Sequence, residues 1–236
     1  MNSSDIEYHG LPVQSAYGPK QLGFSPYADN GGSLVAIAGD DYAVIASDTR
    51  LSTGFQIYTR EQPKLFQLSK TTVLGSTGCW CDTLTFTKIL EAKLKMYLHE
   101  HQKEMSTPAI AQLVSVMMYY KRFFPYYVSN VIAGIDEQGK GCVYTFDVVG
   151  HSEKERFKSA GSSSALLQPL LDNQIAGNNM ENWQTAPFPQ RTAVSIIKDT
   201  FISAAERDIL TGDGIEINVI TKDQDILVEK VSLRKD

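Results

Sequence analysis

Two short apolar runs separated by a tight turn constrain the fold more than any other part of the chain. Residues 33–38 read SLVAIA and residues 42–47 read YAVIAS, with Gly39, Asp40 and Asp41 between them. Apolar runs of this length that are bounded by turn residues predict two strands of an antiparallel hairpin. Because neither run alternates with polar residues, we expect apolar layers to cover both faces of the hairpin.

The rest of the periodicity predicts helices that occur in pairs between groups of strands. Further strands are predicted at 55–58, 64–68, 72–76, 128–136, 142–147, 215–222 and 225–232, and helices at 83–102, 108–121, 163–174 and 192–210. Thr107 is the expected N-cap of the second helix, and Gly212 the expected C-cap of the fourth. Single helices do not alternate with single strands, which disfavours Rossmann and barrel folds. The predicted class is therefore α+β, a four-layer α-β-β-α sandwich of two antiparallel sheets.

Length and composition bound the domain organisation and exclude several classes of function. The chain has 236 residues, of which 42% are hydrophobic and 21% charged, and this predicts a single domain over 24–236. Residues 1–23 are polar and lack the apolar core of a signal peptide, so we expect a pro-segment or disordered tail there. A net charge of −5 without a dense Lys/Arg cluster disfavours nucleic-acid binding. No apolar run is long enough for a membrane span, and residues 176–190 are predicted to be a connecting loop.

The cysteines and histidines do not predict a metal site or a cofactor. Cys79, Cys81 and Cys142 do not complete a zinc-binding set, and we expect inert thiols. His99 and His101 are two positions apart on a predicted helix, so their side chains point in different directions. We expect no metal and no cofactor.

Three groups of polar residues have both a structural and a functional interpretation. Asp48 and Lys64 could form a structural ion pair, or could polarise a nucleophile. Arg207, Asp208 and Thr211 could end a helix, or could complete the same site. Ser162, in a Ser-Ser-Ser run, could cap a helix, or could contribute a hydroxyl near a reacting group.

A dense aromatic stretch follows the second predicted helix. Phe123, Phe124, Tyr126 and Tyr127 flank a proline. Four rings within five residues cannot all face one core. They predict either a corner of the core or a subunit interface, where Tyr and Phe are enriched.

Several uninterrupted strings resemble one known family. "ASDTR", the spacing to Lys64, "AGSSS" and "ERDILTGD" together resemble the β subunits of the 20S proteasome, over nearly all of residues 24–236. The strings "FSPYADNGG", "RFFPYYVSNVIAGIDEQGKG", "LLQPLLDNQ" and "FISAAERDILTGD" resemble the subunits at the sixth position of the eukaryotic β ring. The resemblance implies the N-terminal-nucleophile hydrolase fold, which is an α-β-β-α sandwich.

The resemblance also implies a site that has lost its nucleophile. Active members of the family begin with a threonine whose hydroxyl attacks the peptide, and Asp and Lys partners follow 16 and 32 residues later. Asp48 and Lys64 match these partners, so the nucleophile position is Gly32. The rest of the implied vestigial site is Ser33, Arg50, Ser162, Asp208 and Thr211. Because a one-residue shift on a strand reverses the direction of a side chain, Ser33 is expected to face away from Lys64.

The resemblance implies the function of a non-catalytic structural subunit. The alternative is an active serine-type peptidase whose nucleophile is Ser33. Such a subunit supports ATP/ubiquitin-dependent protein degradation by filling one β-ring position. Its implied partners are the fifth and seventh β subunits, an α ring, the opposing β ring and assembly chaperones, in cytoplasm and nucleus. Asp147, Val148 and Val149 are the candidates for shaping the neighbouring chymotrypsin-like site, although the family usually has proline in place of Val148. A free-standing binding module and an assembly factor are rival hypotheses.

Overall fold

The elements follow the predicted order of strands, helix pair, strands, helix pair, strands. The structure is a computed structural model, which describes residues 25–177, 180 and 188–235. The strands are β1 (Ser33–Ala38), β2 (Tyr42–Asp48), β3 (Leu51–Thr53), β4 (Gln56–Thr59), β5 (Leu65–Ser69), β6 (Thr72–Gly78), β7 (Val128–Ile135), β8 (Gly141–Phe146), β9 (Ser152–Glu155), β10 (Phe157–Gly161), β11 (Gly214–Thr221) and β12 (Leu227–Ser232). The helices are α1 (Trp80–His101), α2 (Thr107–Tyr120), α3 (Ser164–Leu171) and α4 (Gln190–Ala205), and a π-helical turn, Asp172–Ala176, follows α3. The predicted tail and most of the predicted loop at 176–190 lie outside the described residues.

The strands form two five-stranded sheets and a small ribbon. The first sheet has the order β10-β1-β2-β11-β12, and the second has the order β5-β6-β7-β8-β9. All of the pairings within the two sheets are antiparallel. Strands β3 and β4 pair only with each other and project as a ribbon after β2. The hairpin that the sequence predicted is therefore the centre of the first sheet.

Three separate apolar clusters show how the layers are stacked. One packs the first sheet against α3 and α4, a second fills the space between the two sheets, and a third packs the second sheet against α1 and α2. Along β1, Leu34 and Ala36 face the second sheet, whereas Val35 and Ile37 face α3 and α4. Both faces of the hairpin are thus covered, and the predicted four-layer α-β-β-α sandwich of the α+β class is confirmed.

The sequence pattern did not predict two of the strands at the sheet edges. Strands β9 and β10 read SEKE and FKSAG, and each lies at the edge of its sheet. An edge strand has one neighbour and can expose one face to water, so its sequence need not show an apolar run. The three-residue strand β3 was also missed because it is shorter than the pattern requires.

Several helix boundaries differ from the prediction. Helix α1 begins at Trp80 rather than at residue 83. Thr107 is not the N-cap of α2, because its hydroxyl donates to the Ile135 carbonyl (2.8 Å) and Ser106 occupies the cap position. Helix α4 ends at Ala205 rather than near Gly212. The residues that follow α4 form a loop, which carries part of the site described below.

None of the helices among the described residues is long and apolar enough to cross a membrane.

Candidate functional site

The Asp48 carboxylate lies at the end of β2 and is fully buried. Its Oδ1 accepts hydrogen bonds from the Ser33 amide (2.8 Å) and from Lys64 Nζ (2.8 Å). Its Oδ2 accepts a longer bond from the Arg50 amide (3.3 Å). A buried carboxylate needs such partners, because an unpaired buried charge is costly.

The Lys64 ammonium is the buried counter-charge of Asp48. It comes directly before β5, and besides Asp48 Oδ1 it donates to the carbonyls of Arg50 (2.6 Å) and Asp48 (3.3 Å). Burial lowers the pKa of Lys64, and the attraction of Asp48 opposes that change. Burial likewise raises the pKa of Asp48, against the pull of Lys64. Three acceptors match the three N–H donors of an ammonium, so the geometry holds Lys64 in one orientation.

Position 32 faces this ion pair but carries no side chain. A Cβ placed on Gly32 would lie 2.9 Å from Lys64 Cε and 3.0 Å from Lys64 Nζ. The φ angle of Gly32 is +97°, a region that residues with a side chain rarely adopt. A side chain at the position that the resemblance assigns to the nucleophile would therefore point at Lys64, but glycine provides no side-chain hydroxyl that could share a proton with it.

Ser33 faces the opposite side of β1, as the strand period predicts. Its hydroxyl bonds to the hydroxyls of Ser163 and Thr211, the latter at 2.7 Å, and accepts from the Ser163 amide at 3.2 Å. Thr211 donates to Asp208 Oδ2 (2.7 Å). A hydroxyl has one hydrogen, so the donors run in one direction, from Ser163 through Ser33 and Thr211 to Asp208.

Ser162 joins the same network from the loop before α3. Its hydroxyl donates to Asp208 Oδ2 (2.7 Å), and its amide donates to the Gly32 carbonyl (2.9 Å). The structure therefore brings Ser162, Asp208 and Thr211 together, and they tie the start of β1 to the loop after α4. Ser163, which the sequence interpretation did not single out, is buried in this network together with Ser33 and Thr211.

Arg50 and Asp213 form a second buried ion pair, and the sequence interpretation did not include Asp213. Arg50 Nε donates to Asp213 Oδ2 (2.8 Å), and its Nη1 donates to the Ile209 carbonyl (2.8 Å). Arg60 also donates to Asp213. Burial would raise the pKa of Asp213, but hydrogen bonds and charge from the two arginines outweigh it and lower that pKa. Asp213 is separated from Arg50 by 163 residues. Both residues end strings that carry the family resemblance, "ERDILTGD" and "ASDTR", but their spacing gives no signal for the pair.

The candidate residues for a neighbouring pocket form a turn beside the same site. Asp147 Oδ1 accepts from the amides of Val149 (3.0 Å) and His151 (2.7 Å). Val148 is part of the lining of a cleft of about 220 Å³ that also includes Gly32 and Ser162. The structure thus places Val148 next to position 32 of its own chain, and its contact with another subunit stays a prediction.

The aromatic stretch divides between the core and the surface. The Tyr126 ring packs edge-on against Phe86 (5.5 Å between centroids) at the cluster under α1 and α2. Phe123 is 98% exposed, and Phe124 and Tyr127 are also exposed. The core interpretation therefore applies to Tyr126, and an interface role for the exposed residues stays a prediction.

Metal-ligating side chains are dispersed in the part of the chain that the structure describes. No group of three or more His, Cys, Asp or Glu residues there is arranged to hold a metal ion. His99 and His101 both lie in the last turn of α1. Cys79 and Cys142 are buried, Cys81 is exposed, and burial raises the pKa of the Cys142 thiol to about 11.

Comparison with known proteins assigns this chain to a family. The family described as Proteasome subunit matches residues 28–220. "Proteasome subunit beta type-1" of Drosophila melanogaster is 53% identical over 235 residues, which cover 99% of this chain and 100% of the relative. The protein of the same name from Danio rerio is 53% identical and covers 100% of this chain and 96% of the relative. That of Arabidopsis thaliana is 46% identical over 90% of this chain and 97% of the relative. The chain therefore belongs to the proteasome subunit family, in which it is similar to the beta type-1 members.

Proposed function

We propose that this chain is a non-catalytic structural β subunit of the 20S proteasome core particle. The observation that carries the proposal is Gly32, which faces the Asp48–Lys64 pair without a hydroxyl. Nucleophilic catalysis needs an oxygen or sulfur close enough to a base to lose its proton. Glycine supplies neither, so Asp48 and Lys64 act as a buried structural pair that joins β2 to the strand region before β5.

The environment of Ser33 argues against the serine-peptidase alternative. The Ser33 side chain is fully buried and lies on the face of β1 opposite to Lys64. Its hydrogen-bond partners among the described residues are hydroxyl groups and an amide. None of these accepts a proton readily at neutral pH, so in the uncut chain the Ser33 hydroxyl has no base as a direct hydrogen-bond partner among the described residues.

An exposed apolar surface supports a role in assembly. Val116, Tyr119, Tyr120 and Phe123 are exposed at spacings of three and four residues along one face of α2 and the turn after it. Exposed apolar patches of this kind mark protein–protein contacts. We assign this surface, together with Phe124 and Tyr127, to contacts with other proteasome subunits.

The finer placement follows from the sequence resemblance. We propose the sixth position of the β ring, with the fifth and seventh β subunits, an α ring and the opposing β ring as partners. Assembly chaperones, a location in cytoplasm and nucleus, and support of ATP/ubiquitin-dependent degradation belong to the same proposal. The turn at Asp147 would present Val148 and Val149 toward the chymotrypsin-like neighbour, and its fixed Asp147 bonds support a rigid contact.

The N-terminal residue of the chain in purified assembled particles tests the proposal. Intact-mass and N-terminal peptide mass spectrometry should find a start upstream of Asn30, near Gly23, which indicates trimming by another subunit and an uncut bond between Gly31 and Gly32. A start at Ser33 would mean self-cleavage before a hydroxyl-bearing residue and would overturn the non-catalytic assignment. Absence of the chain from assembled particles would overturn the structural role.

A further inference from the structure

A cavity of about 350 Å³ opens at one end of the first sheet, beside β11 and β12. Its lining includes Glu216 of β11 and Lys230 of β12, which are directly opposite each other in the sheet. Pro63, which comes shortly before the edge strand β5, also lines it, so the cavity lies where the second sheet ends. Gly32 and Lys64 do not line this cavity, and it is therefore separate from the site at position 32.

The Glu216 carboxylate is buried in this cavity and accepts no hydrogen bond from the residues that the structure describes. Ile215 and Ile217 pack toward α3 and α4, so strand alternation directs Glu216 toward the space between the two sheets. Glu216 is 8% exposed, and its ion-pair partner Lys230 Nζ lies 3.6 Å away, which is too far for a hydrogen bond. A carboxylate has about four positions for donors, and a buried carboxylate without donors is costly. Glu216 therefore lacks the donors that its burial requires.

Two further polar side chains beside Glu216 are buried without partners. Ser47 of β2 is directly opposite Glu216, and Asn218 is two positions further along β11, so strand alternation places all three on one face. Ser47 Oγ and Asn218 Oδ1 have no hydrogen-bond partner among the described residues. Native proteins leave few buried polar groups unpaired. Because carboxylate and amide oxygens only accept, and a hydroxyl can accept, the partner that this face lacks is a hydrogen-bond donor.

The charges around the cavity favour a donor that is also a cation. Two acidic side chains of the lining, Glu216 and Asp213, are buried. The basic side chain of Lys230 is 70% exposed, and that of Arg60 is partly exposed. Water screens the exposed charges, whereas the field of a buried carboxylate is stronger at short range. Asp213 is already paired with Arg50 and Arg60, so Glu216 is the carboxylate that remains for a ligand.

We propose that this cavity binds a primary ammonium or guanidinium group, with Glu216 as the anchoring carboxylate. A guanidinium gives a carboxylate two parallel N–H···O bonds, and an ammonium offers three donors. Either group supplies the hydrogen bonds that Lys230 does not make at 3.6 Å, and the exposed Lys230 side chain can turn into water to admit it. The cavity volume is within the range of small-ligand pockets, roughly 300–1,000 Å³. This site goes beyond the proposed structural role and does not depend on it, because Gly32 and Ser33 do not line the cavity.

Two sources can supply such a group, a free small cation or a lysine side chain of an adjoining subunit. A photo-reactive probe tests the free cation on assembled particles. A diazirine derivative of lysine amide should label residues 214–216 or 230–232, as mapped by peptide mass spectrometry. Nα-acetyl-argininamide should compete with the label, whereas its neutral isostere Nα-acetyl-citrullinamide should not. Equal competition by the two compounds would overturn a cation site.

Variants of the lining test the role of Glu216. Glu216→Gln removes the charge and keeps the shape of the side chain, and it should reduce labelling about tenfold or more because charge-assisted hydrogen bonds are lost. Glu61→Gln is the matched control, since Glu61 lines the same cavity but is exposed, and it should leave labelling unchanged. Lys230→Met changes an exposed side chain and serves if Glu216→Gln particles do not assemble. It removes the competing cation and should increase labelling. Unchanged labelling in either Glu216→Gln or Lys230→Met particles would refute the assignment of Glu216.

Carbodiimide cross-linking of unmodified particles tests a lysine of an adjoining subunit as the source. The reagent joins a carboxylate to an amine in contact with it, so a link between Glu216 and a lysine of another subunit would show that this side chain fills the cavity. We then expect the photo-reactive probe to be excluded until that lysine is replaced by methionine. No labelling by the probe, together with no link from Glu216 to another subunit, would overturn the site, and a link to Lys230 alone would then identify Lys230 as the partner of Glu216.

Discussion

A side chain at position 32 should disrupt the buried ion pair, and Gly32→Ala is the smallest change that tests this. The backbone there has a φ of +97°, and the new Cβ would lie 2.9 Å from Lys64 Cε and 3.0 Å from Lys64 Nζ. Real Cβ contacts are longer, so either the strand start or Lys64 must move. Lys64 cannot move freely, because its ammonium is bound to Asp48 and to two carbonyls.

The size of the effect follows from two contributions. Holding a residue with a side chain in a sparsely populated backbone region costs roughly 1–3 kcal/mol. Loss of one charge-assisted hydrogen bond from Lys64 adds about 1.5–3 kcal/mol. Their sum is about 2.5–6 kcal/mol of local stability, and a change of about 1.4 kcal/mol corresponds to a tenfold change in an equilibrium.

Amide exchange in assembled particles measures this local stability. The amides of Ser33 and Arg50 both donate to Asp48, so they report on the pair. Gly32→Ala should accelerate their exchange about a hundredfold or more. Gly54→Ala is the control, because Gly54 also has a positive φ (+56°) but no heavy atom lies within 4 Å of the added Cβ. If both variants exchange like the unmodified chain at Ser33 and Arg50, the steric argument is wrong.

Three further predictions concern the buried polar groups. Lys64→Ala should destabilise the assembled particle by about 3–5 kcal/mol without loss of peptide hydrolysis, because it leaves Asp48 buried and unpaired. The double variant Asp48→Asn with Lys64→Met should recover most of that stability. An unchanged melting temperature for Lys64→Ala would exclude the ion-pair role. The pKa of Asp213 is lower in the folded chain than its ordinary value of 3.8, so its contribution to stability is present above that value and is lost as the pH falls through the folded pKa. Acid titration of unfolding should therefore show a shallower loss below that value for Asp213→Asn than for the unmodified chain, and identical acid profiles would contradict the assignment. Thr211→Val should lower the free energy of unfolding by about 1–3 kcal/mol, because it interrupts the hydrogen bonds between Ser33 and Asp208. Thr211→Ser keeps the hydroxyl and should be nearly neutral in the same thermal unfolding assay. Equal losses of stability in the two variants would indicate a packing effect instead.

Local patterns predicted most of the fold, and errors occurred where a partner distant in the chain decides the structure. The apolar runs of β1 and β2 required cover on both faces, which limited the architecture to stacked layers. Helix α1 begins early because Asn30 supplies an acceptor that no helical pattern contains. Helix α4 was predicted to be longer than it is. Asp208 accepts hydrogen bonds from Ser162, Thr211 and the Leu210 amide, and these bonds hold the residues after Ala205 in a loop.

The candidate site was predictable only in part. The family resemblance predicted that Gly32 occupies the nucleophile position relative to Asp48 and Lys64, and strand alternation predicted the direction of Ser33. The roles of Asp213 and Ser163 did not follow from spacing, since each acts through a partner more than 100 residues away.

The sequence alone determined which residue types occupy each layer, because apolar periodicity is a local property. It also determined that position 32 has no side chain, because residue identity is local. The tertiary structure alone decided how the polar groups are paired. Segment 29–32 lies against Gly78 and Ser52, and Arg50 is buried against Asp213. Hydrogen-bond partners are set by distances of about 3 Å between atoms that chain folding brings together, and a linear pattern carries no information about those distances.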